Sequence, residues 1–275
     1  MISTTLRSAA RHGSAHATPT SLSWRVVRDG ASPGPANMAL DHALARCLGA
    51  GEGVLRLYTW ERPTVSFGRN EPARATYSTA LAERLGVDCV RRPTGGRAVL
   101  HDGELTYAAV VPVRAFGGVR RAYGLINEAL AQALRSLGAE VALAEGTVTL
   151  GVDAGPCFQA PAAGEVVGAG RKLVGSAQAR VEGALLQHGS IILSGDQSLL
   201  DALAGETAAH EPPATLVELI GEVSGDDVAD AVVAGMRGVL GGDWTAAGGH
   251  GEPVRAEATR LEAERYGRNE WTWRR

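Results

Sequence analysis

The stretch from Arg91 to Pro112, RRPTGGRAVLHDGELTYAAVVP, does most to limit what this 275-residue chain can fold into. Val87 to Arg91 (VDCVR) is a strand pattern that delivers the chain into Thr94-Gly95-Gly96. Ala98 to His101 and Leu105 to Pro112 are strand patterns on the far side, around an Asp102-Gly103 turn. Two adjacent glycines remove side-chain bulk and admit positive φ. Backbone N–H groups in such a loop can press onto a carbonyl, a carboxylate or a phosphate. Arg91, Arg92 and Arg97 put positive charge beside it. An ordinary tight turn with solvated arginines accounts for the same residues, because the spacing is neither that of a P-loop nor that of a dinucleotide site.

Helical and strand periods alternate around this stretch. Trp24 to Arg28 reads as a first strand, and NMALDHALARCLG as an amphipathic helix with Asn37 as N-cap and Gly49 at its end. Asp41 and His42 read as surface positions of that helix, Asp41 lying close enough to the apolar face to tie down a neighbouring loop. Val54 to Trp60 (VLRLYTW) alternates like a half-buried strand, and Thr64 to Gly68 is a second short one. Ser78 to Leu85 is a helix ended by Gly86. Arg120 to Leu137 is the strongest helix, with Ile126, Leu130, Ala133, Leu134 and Leu137 on one stripe. Glu140 to Ala144 is a strand. Glu165–Val167, Arg171–Val181 and Ala184–Leu193 read as a three-stranded meander. Ala214 to Ile220, Asp226 to Leu240 and Pro253 to Tyr266 are helices. The expected class is α/β (α+β), a mixed β-sheet flanked by helices. Residues 1–22 are expected to be a disordered tail whose composition overlaps that of organelle transit peptides. Residues 23–275 are expected to form a single domain with a helical C-terminal segment.

Composition excludes several classes. A net charge of −3 makes no case for nucleic acid or an anionic membrane, and 5% aromatic residues leave little for base stacking. No apolar run approaches the length of a membrane span. Cys47, Cys89 and Cys157 are odd in number and lack CxxC spacing, which argues against disulfides and zinc. A reducing, cytoplasmic location fits, and a monomer is the default expectation. Cys47 and Cys89 lie in apolar patterns and read as buried fillers.

Cys157 differs, sitting between Pro156 and Phe158 in a glycine-flanked loop. It is either a small filler or a nucleophile, and the second needs a base or positive charge nearby, for which Arg171, Lys172 and His188 are candidates. Lys172 is either a solvated hairpin lysine or a cation placed where charge develops on a carbonyl oxygen. His101 and His188 each border an apolar run, as core histidines or as general bases. No residue pair shows metal-ligand spacing.

Together, RRPTGGRAVLHDGELTY, CF…GRKLVGSAQAR…LLQHGSIIL and NMALDHAL resemble the biotin/lipoate protein ligase superfamily, over roughly Trp24 to Leu193. The resemblance implies a mixed sheet flanked by helices, with an acyl tunnel beside the glycine loop. It places Arg91, Arg92, Thr94, Gly95, Gly96, Arg97, His101, Gly175, Ser176, Ala177 and His188 around the acyl site, and Lys172 at the acyl carbonyl. Within the superfamily the chain looks more like the cysteine-dependent octanoyltransferase type than lipoate–protein ligase A. Gly175-Ser176-Ala177 is followed by Gln178 where ligases more often carry Tyr, and Cys157 stands in the CF position those transferases use.

That type implies transfer of octanoyl from octanoyl-acyl carrier protein, through a thioester on Cys157, to one lysine of a lipoyl-carrier domain. The acceptor would be glycine-cleavage H protein or a dehydrogenase acyltransferase subunit, and no cofactor would be required. Arg91 and Arg92 would hold the acyl pocket or greet acidic carrier proteins. The alternatives are an ATP- and Mg-dependent lipoate–protein ligase working through lipoyl-adenylate, and a non-catalytic acyl-binding module.

Overall fold

The structure is a computed structural model that describes residues 21–145, 163–205 and 211–275. Cys157 and nearly all of the expected tail lie outside these residues. In chain order, β1 (Ser23–Ser32) leads to α1 (Gly34–Arg46), β2 (Glu52–Trp60) and β3 (Thr64–Phe67). Next come α2 (Ala73–Thr76), α3 (Thr79–Leu85), β4 (Asp88–Arg91), the glycine loop, β5 (Val99–His101) and β6 (Glu104–Pro112). Then follow α4 (Val119–Ser136), β7 (Val141–Leu143), β8 (Val166–Gly168), β9 (Arg171–Lys172), β10 (Val174–Val181) and β11 (Ala184–Ile192). The last group is α5 (Ser198–Leu203), α6 (Leu216–Ile220), α7 (Gly225–Leu240), β12 (Asp243–Ala246), α8 (Glu252–Leu261) and α9 (Asn269–Thr272).

The main sheet has six strands in the order β10-β11-β6-β2-β1-β12. Its first four strands are antiparallel neighbours, while β2–β1 and β1–β12 are parallel. Side chains alternate between two cores. Leu55, Leu57, Tyr107 and Ala109 face α4 and α7, whereas Val54, Tyr58, Ala108 and Val110 face α1 and α8. The expected mixed sheet flanked by helices is therefore what forms. Ile126, Leu130 and Leu134 of α4 are fully buried, as their spacing predicts. Ser78 caps α3 by accepting from Leu81 N, and Gly86 ends it at φ +68°. Two small sheets, β4-β3-β5 and β7-β8-β9, stand beside the large one.

Several expectations are corrected. VLRLYTW is not half-buried: helices cover both faces of β2, so residues 53–58 are all buried. Asn37 is not an N-cap, because Pro33 and Pro35 start the helix earlier. Its buried amide instead donates to the carbonyls of Ser32 and Thr59, at 3.1 Å each. Asp102-Gly103 is a corner between sheets rather than a hairpin, since β5 pairs with β3 while β6 pairs with β2 and β11. The meander is broken at Leu173, a buried residue whose N–H bonds Val166 in the small sheet and whose carbonyl accepts from Ile192 in the large one. Cys47 and Cys89 are only half-buried, and burial pushes the Cys89 thiol up to about 12. The short β12 was not legible; it is held to β1 by Trp24 stacked on Trp244 at 4.4 Å.

The packing of α7 on α4 depends on Gly235, where an added Cβ would lie 2.4 Å from the Ala129 carbonyl oxygen. Gly238, on the same helix, has nothing within 4 Å. Gly235→Ala is expected to cost roughly 1–3 kcal/mol through overpacking. Gly238→Ala should raise stability by roughly 0.4–1 kcal/mol by restricting the unfolded chain. Urea unfolding of the two variants checks the contrast.

Candidate active site

The glycine loop is held from behind by Arg91 and Arg92, which donate mostly to main-chain oxygens, Arg91 Nη2 having no hydrogen-bond partner among the described residues. Arg91 is fully buried, and its Nη1 donates to Gly68 O at 2.7 Å and Glu71 O at 2.8 Å, while its Nε reaches Thr272 O at 3.0 Å. Burial, with Arg274 second, brings its guanidinium down to about 10. Arg92 donates to Ser66 O at 2.7 Å, Gly95 O at 2.8 Å and Arg97 O at 2.6 Å. Arg97 is buried as well. These are therefore not solvated arginines, and a buried guanidinium ringed by carbonyls is poorly placed to greet another protein or to grip nucleotide phosphates. Their work is to fix the loop's path.

Two residues outside the expected site, Glu71 and Gly68, complete the loop. Glu71 Oε2 accepts from Gly68 N at 2.8 Å, and its Oε1 accepts from Ala98 N at 2.9 Å and from the Tyr77 hydroxyl at 3.0 Å. Gly68 approaches so closely that a Cβ there would lie 1.7 Å from Gly96 O. Gly96 needs its freedom because its φ is +87°. Gly95 has open space around it and lies outside the left-handed region.

Behind the loop lies a cavity. Its wall includes Met38, Trp60, Val99 and Ala177, with the small residues Gly96, Gly175 and Gly189 on the same lining. Arg92, His101, Ser176 and His188 also line it. Thr94 is buried directly behind, with its Oγ1 2.7 Å from His188 Nε2. Of the residues expected around the acyl site, the structure thus gathers Arg92, Gly96, His101, Gly175, Ser176, Ala177 and His188 on one cavity, backed by Thr94. Gly95, Arg91 and Arg97 belong to the loop without lining the cavity. Lys172, on β9, is buried with Nζ 2.8 Å from Glu165 Oε1, and it does not line the cavity as described. Cys157 lies outside the described residues.

Two carboxylate–histidine–hydroxyl chains flank this cavity. In the first, Asp41 Oδ1 accepts from Arg56 Nη1 at 2.7 Å, and its Oδ2 accepts from the Tyr58 hydroxyl at 2.9 Å and from His188 Nδ1 at 2.8 Å. Asp41 is therefore not a surface residue: it is fully buried on α1 and ties two strands to the helix. Burial alone would raise the Asp41 carboxyl, but the His188 hydrogen bond and the Arg56 charge outweigh it and hold it below the usual range. Burial lowers His188, and Asp41 only partly opposes this. The imidazole is then neutral, with its proton on Nδ1 facing the carboxylate. Nε2 is left to accept from the Thr94 hydroxyl. In the second chain, Glu104 Oε1 accepts from His101 Nδ1 at 2.8 Å, from Thr106 at 2.5 Å and from Ser190 at 2.8 Å. His101 Nε2 lies 2.7 Å from Ser66 Oγ, and the ring stacks on Trp60 at 3.9 Å.

Charged residues inside apolar runs, Arg56 in VLRLYTW and Asp41 in NMALDHAL, were the signal that could have revealed the first chain, since an unpaired charge is not buried. Among the described residues, no cluster of three or more His, Cys, Asp or Glu could hold a metal ion.

Because Asp41 and His188 both have folded values below their ordinary ones, their stabilisation is complete at neutral pH and is lost on acidification. The histidine part goes first, below about pH 6.5. His42, lowered to about 4 chiefly by burial, adds to the same loss. Urea midpoints should fall steadily from pH 7 to pH 5, and His188→Gln should flatten that slope. A wild-type midpoint that does not change over this range would contradict the neutral buried imidazole.

Residues 33–237 match the family model described as the lipoyl protein ligase A/B catalytic domain. An octanoyltransferase LipM from Kyrpidia tusciae is 36% identical over 278 aligned residues, which cover 92% of this chain and 99% of that one. The octanoyltransferase LipM of Carboxydothermus hydrogenoformans is 43% identical over 178 residues, 63% of this chain and 66% of that one. In three dimensions, the crystal structure of lipoate-protein ligase A bound with ATP has a TM-score of 0.80 at 24% identity, covering 92% of this chain and 99% of that one. At that identity it supports the shared fold. The chain belongs to the lipoyl protein ligase A/B catalytic-domain family, within the biotin/lipoate ligase superfamily.

Proposed function

We propose that this chain is an octanoyltransferase of protein lipoylation, moving an octanoyl group from octanoyl-acyl carrier protein to the lysine of a lipoyl-carrier domain. The observation that carries the reading is the near full-length similarity to octanoyltransferase LipM. A cavity with an aliphatic and aromatic wall behind a glycine loop suits an alkyl chain. Arg91 and Arg92 donate to main-chain oxygens, which favours a thioester donor over a nucleotide-bound one. Glycine-cleavage H protein or a dehydrogenase acyltransferase subunit is the acceptor. A free catalytic thiol suits the reducing cytoplasm, and the chain works as a monomer.

The chemistry has two steps. The Cys157 thiolate adds to the donor thioester carbonyl, the carbon–sulfur bond to phosphopantetheine breaks, and a Cys157 acyl thioester forms as that thiolate leaves and takes up the proton the Cys157 thiol gave up on ionising. The neutral amine of the acceptor lysine then attacks this thioester. A C–N bond forms, the Cys157 sulfur leaves, and the amine gives up a proton. Both steps develop negative charge on the acyl oxygen. Lys172, anchored by Glu165, is the cation assigned to it, together with backbone N–H groups. Thioester to amide runs downhill, so neither a nucleotide nor a metal is needed.

Intact mass after incubation with octanoyl-acyl carrier protein tests the reading. Wild type should gain one octanoyl group, and Cys157→Ala none. Lys172→Ala should load roughly a hundredfold or more slowly. An adduct that survives Cys157→Ala would remove the cysteine from the mechanism. Transfer that requires ATP and free acid would replace the reading with a ligase.

A further inference from the structure

The chain carries a net charge of −3, yet one face is locally the opposite. A groove of about 450 Å³ runs between α1, the β10–β11 turn and the single wide turn Glu262–Tyr266 that continues α8. Arg46, Arg69, Arg180, Arg260 and Arg265 line it, with Glu182 and Glu264 as the acids among its described lining residues. Part of this charge is neutralised in place: Arg46 pairs with Glu182 and Glu257, and Arg260 with Glu257 and Glu264. The remainder is not. Arg69 and Arg180 are exposed, and neither side chain has an ion pair or hydrogen bond with a described residue. Arg265 and Arg274 lie against the Trp271 ring at 4.5 and 4.0 Å, which holds two guanidinium groups at one end of the groove. His42, on the groove wall, registers the same field: it is lowered to about 4, first by burial and then by the charges of Arg265 and Arg46.

The groove adjoins the acyl cavity. Pro93 lines the groove, while its neighbours Arg92 and Gly96 line the cavity. Strand β10 does the same, with Gly175 to Ala177 on the cavity and Ala179 and Arg180 on the groove. The glycine loop and one strand therefore separate a cationic surface from the acyl site.

We propose that this groove is the landing surface for the acidic carrier protein that delivers the acyl thioester. The inference rests on the function proposed above. Acidic side chains of the carrier and the phosphodiester of its prosthetic arm supply the complementary charge. Arm length favours the donor over the acceptor. A phosphopantetheine arm is long, so the body of its carrier rests at a distance from the acyl carbonyl and needs separate ground. The acceptor lysine is shorter and must bring its own domain up to the acyl group.

The test compares donors, using Arg69→Glu, Arg180→Glu and the double variant. Octanoyl-acyl carrier protein is set against octanoyl-N-acetylcysteamine, which has the thioester but no protein or phosphate. With the carrier donor, KM for the double variant should rise roughly tenfold or more at low salt, with kcat held, and the salt dependence of kcat/KM should flatten. With the small thioester, and in KM for the acceptor domain, the variants should match wild type. Arg180→Lys should restore most of the loss. An equal loss with both donors would overturn the proposal, as would a rise in acceptor KM alone or no change with the carrier donor. If wild type itself transfers from neither donor, the proposed function fails first, and the groove's assignment falls with it.

Discussion

Asp41 and Arg56 form a fully buried ion pair on which the rest of the site depends. Such a pair is costly to desolvate, and it persists only where the remaining donors and acceptors are satisfied. Here they are. Arg56 also donates to Asn37 Oδ1 at 2.8 Å and to Asp29 at 2.5 Å, and its guanidinium lies 3.8 Å from the Tyr58 ring centroid. Asp41 also takes the Tyr58 hydroxyl and His188 Nδ1. One carboxylate thereby locks α1, β2 and β11 into a single geometry. It also sets the tautomer of His188, and through Nε2 the position of Thr94 at the head of the glycine loop. Removing one partner would strand the other charge in the core, a loss of roughly 3–5 kcal/mol.

The glycine loop is likewise held by buried charge. It is held through main-chain oxygens by Arg91 and Arg92, through main-chain N–H groups by Glu71, and from outside by Trp271, whose Nε1 donates to Arg91 O at 2.8 Å. Its side-chain charges are thus structural. The charge available to partners is displaced to the neighbouring groove, where arginines remain exposed. On the proposed function, the cavity behind the loop receives the alkyl chain and the cationic groove beside it receives the protein that carries it.

Local periodicity made the helices α3, α4 and α7 legible, and short apolar runs made β1, β3 and β6 legible, because each pattern is complete within its own segment. The family motif likewise drew attention to Gly96, Gly175 to Ala177 and His188 before any contact was known. The pairings that make a site of them were not readable. Asp41 meets Arg56 across 15 positions and His188 across 147, and no local pattern encodes such a meeting. Gly68 shows the same limit: it reads as the end of a strand, yet it is the position where a side chain would collide with Gly96 O. Arg91 and Arg92 looked like ligand-binding charges because a sequence does not show that carbonyls will surround them. The three-stranded meander failed at Leu173, where one residue serves two sheets.

On the proposed function, the acyl group carried by Cys157 lies in the cavity behind the glycine loop. The most direct measurement is a crystal structure of the octanoylated protein. The alkyl chain should run along Ala177 and Gly189 toward Met38 and Trp60, leaving the Asp41–His188–Thr94 bonds intact. An octanoyl group lying outside this cavity, or one that displaces His188 from Asp41, would contradict that placement.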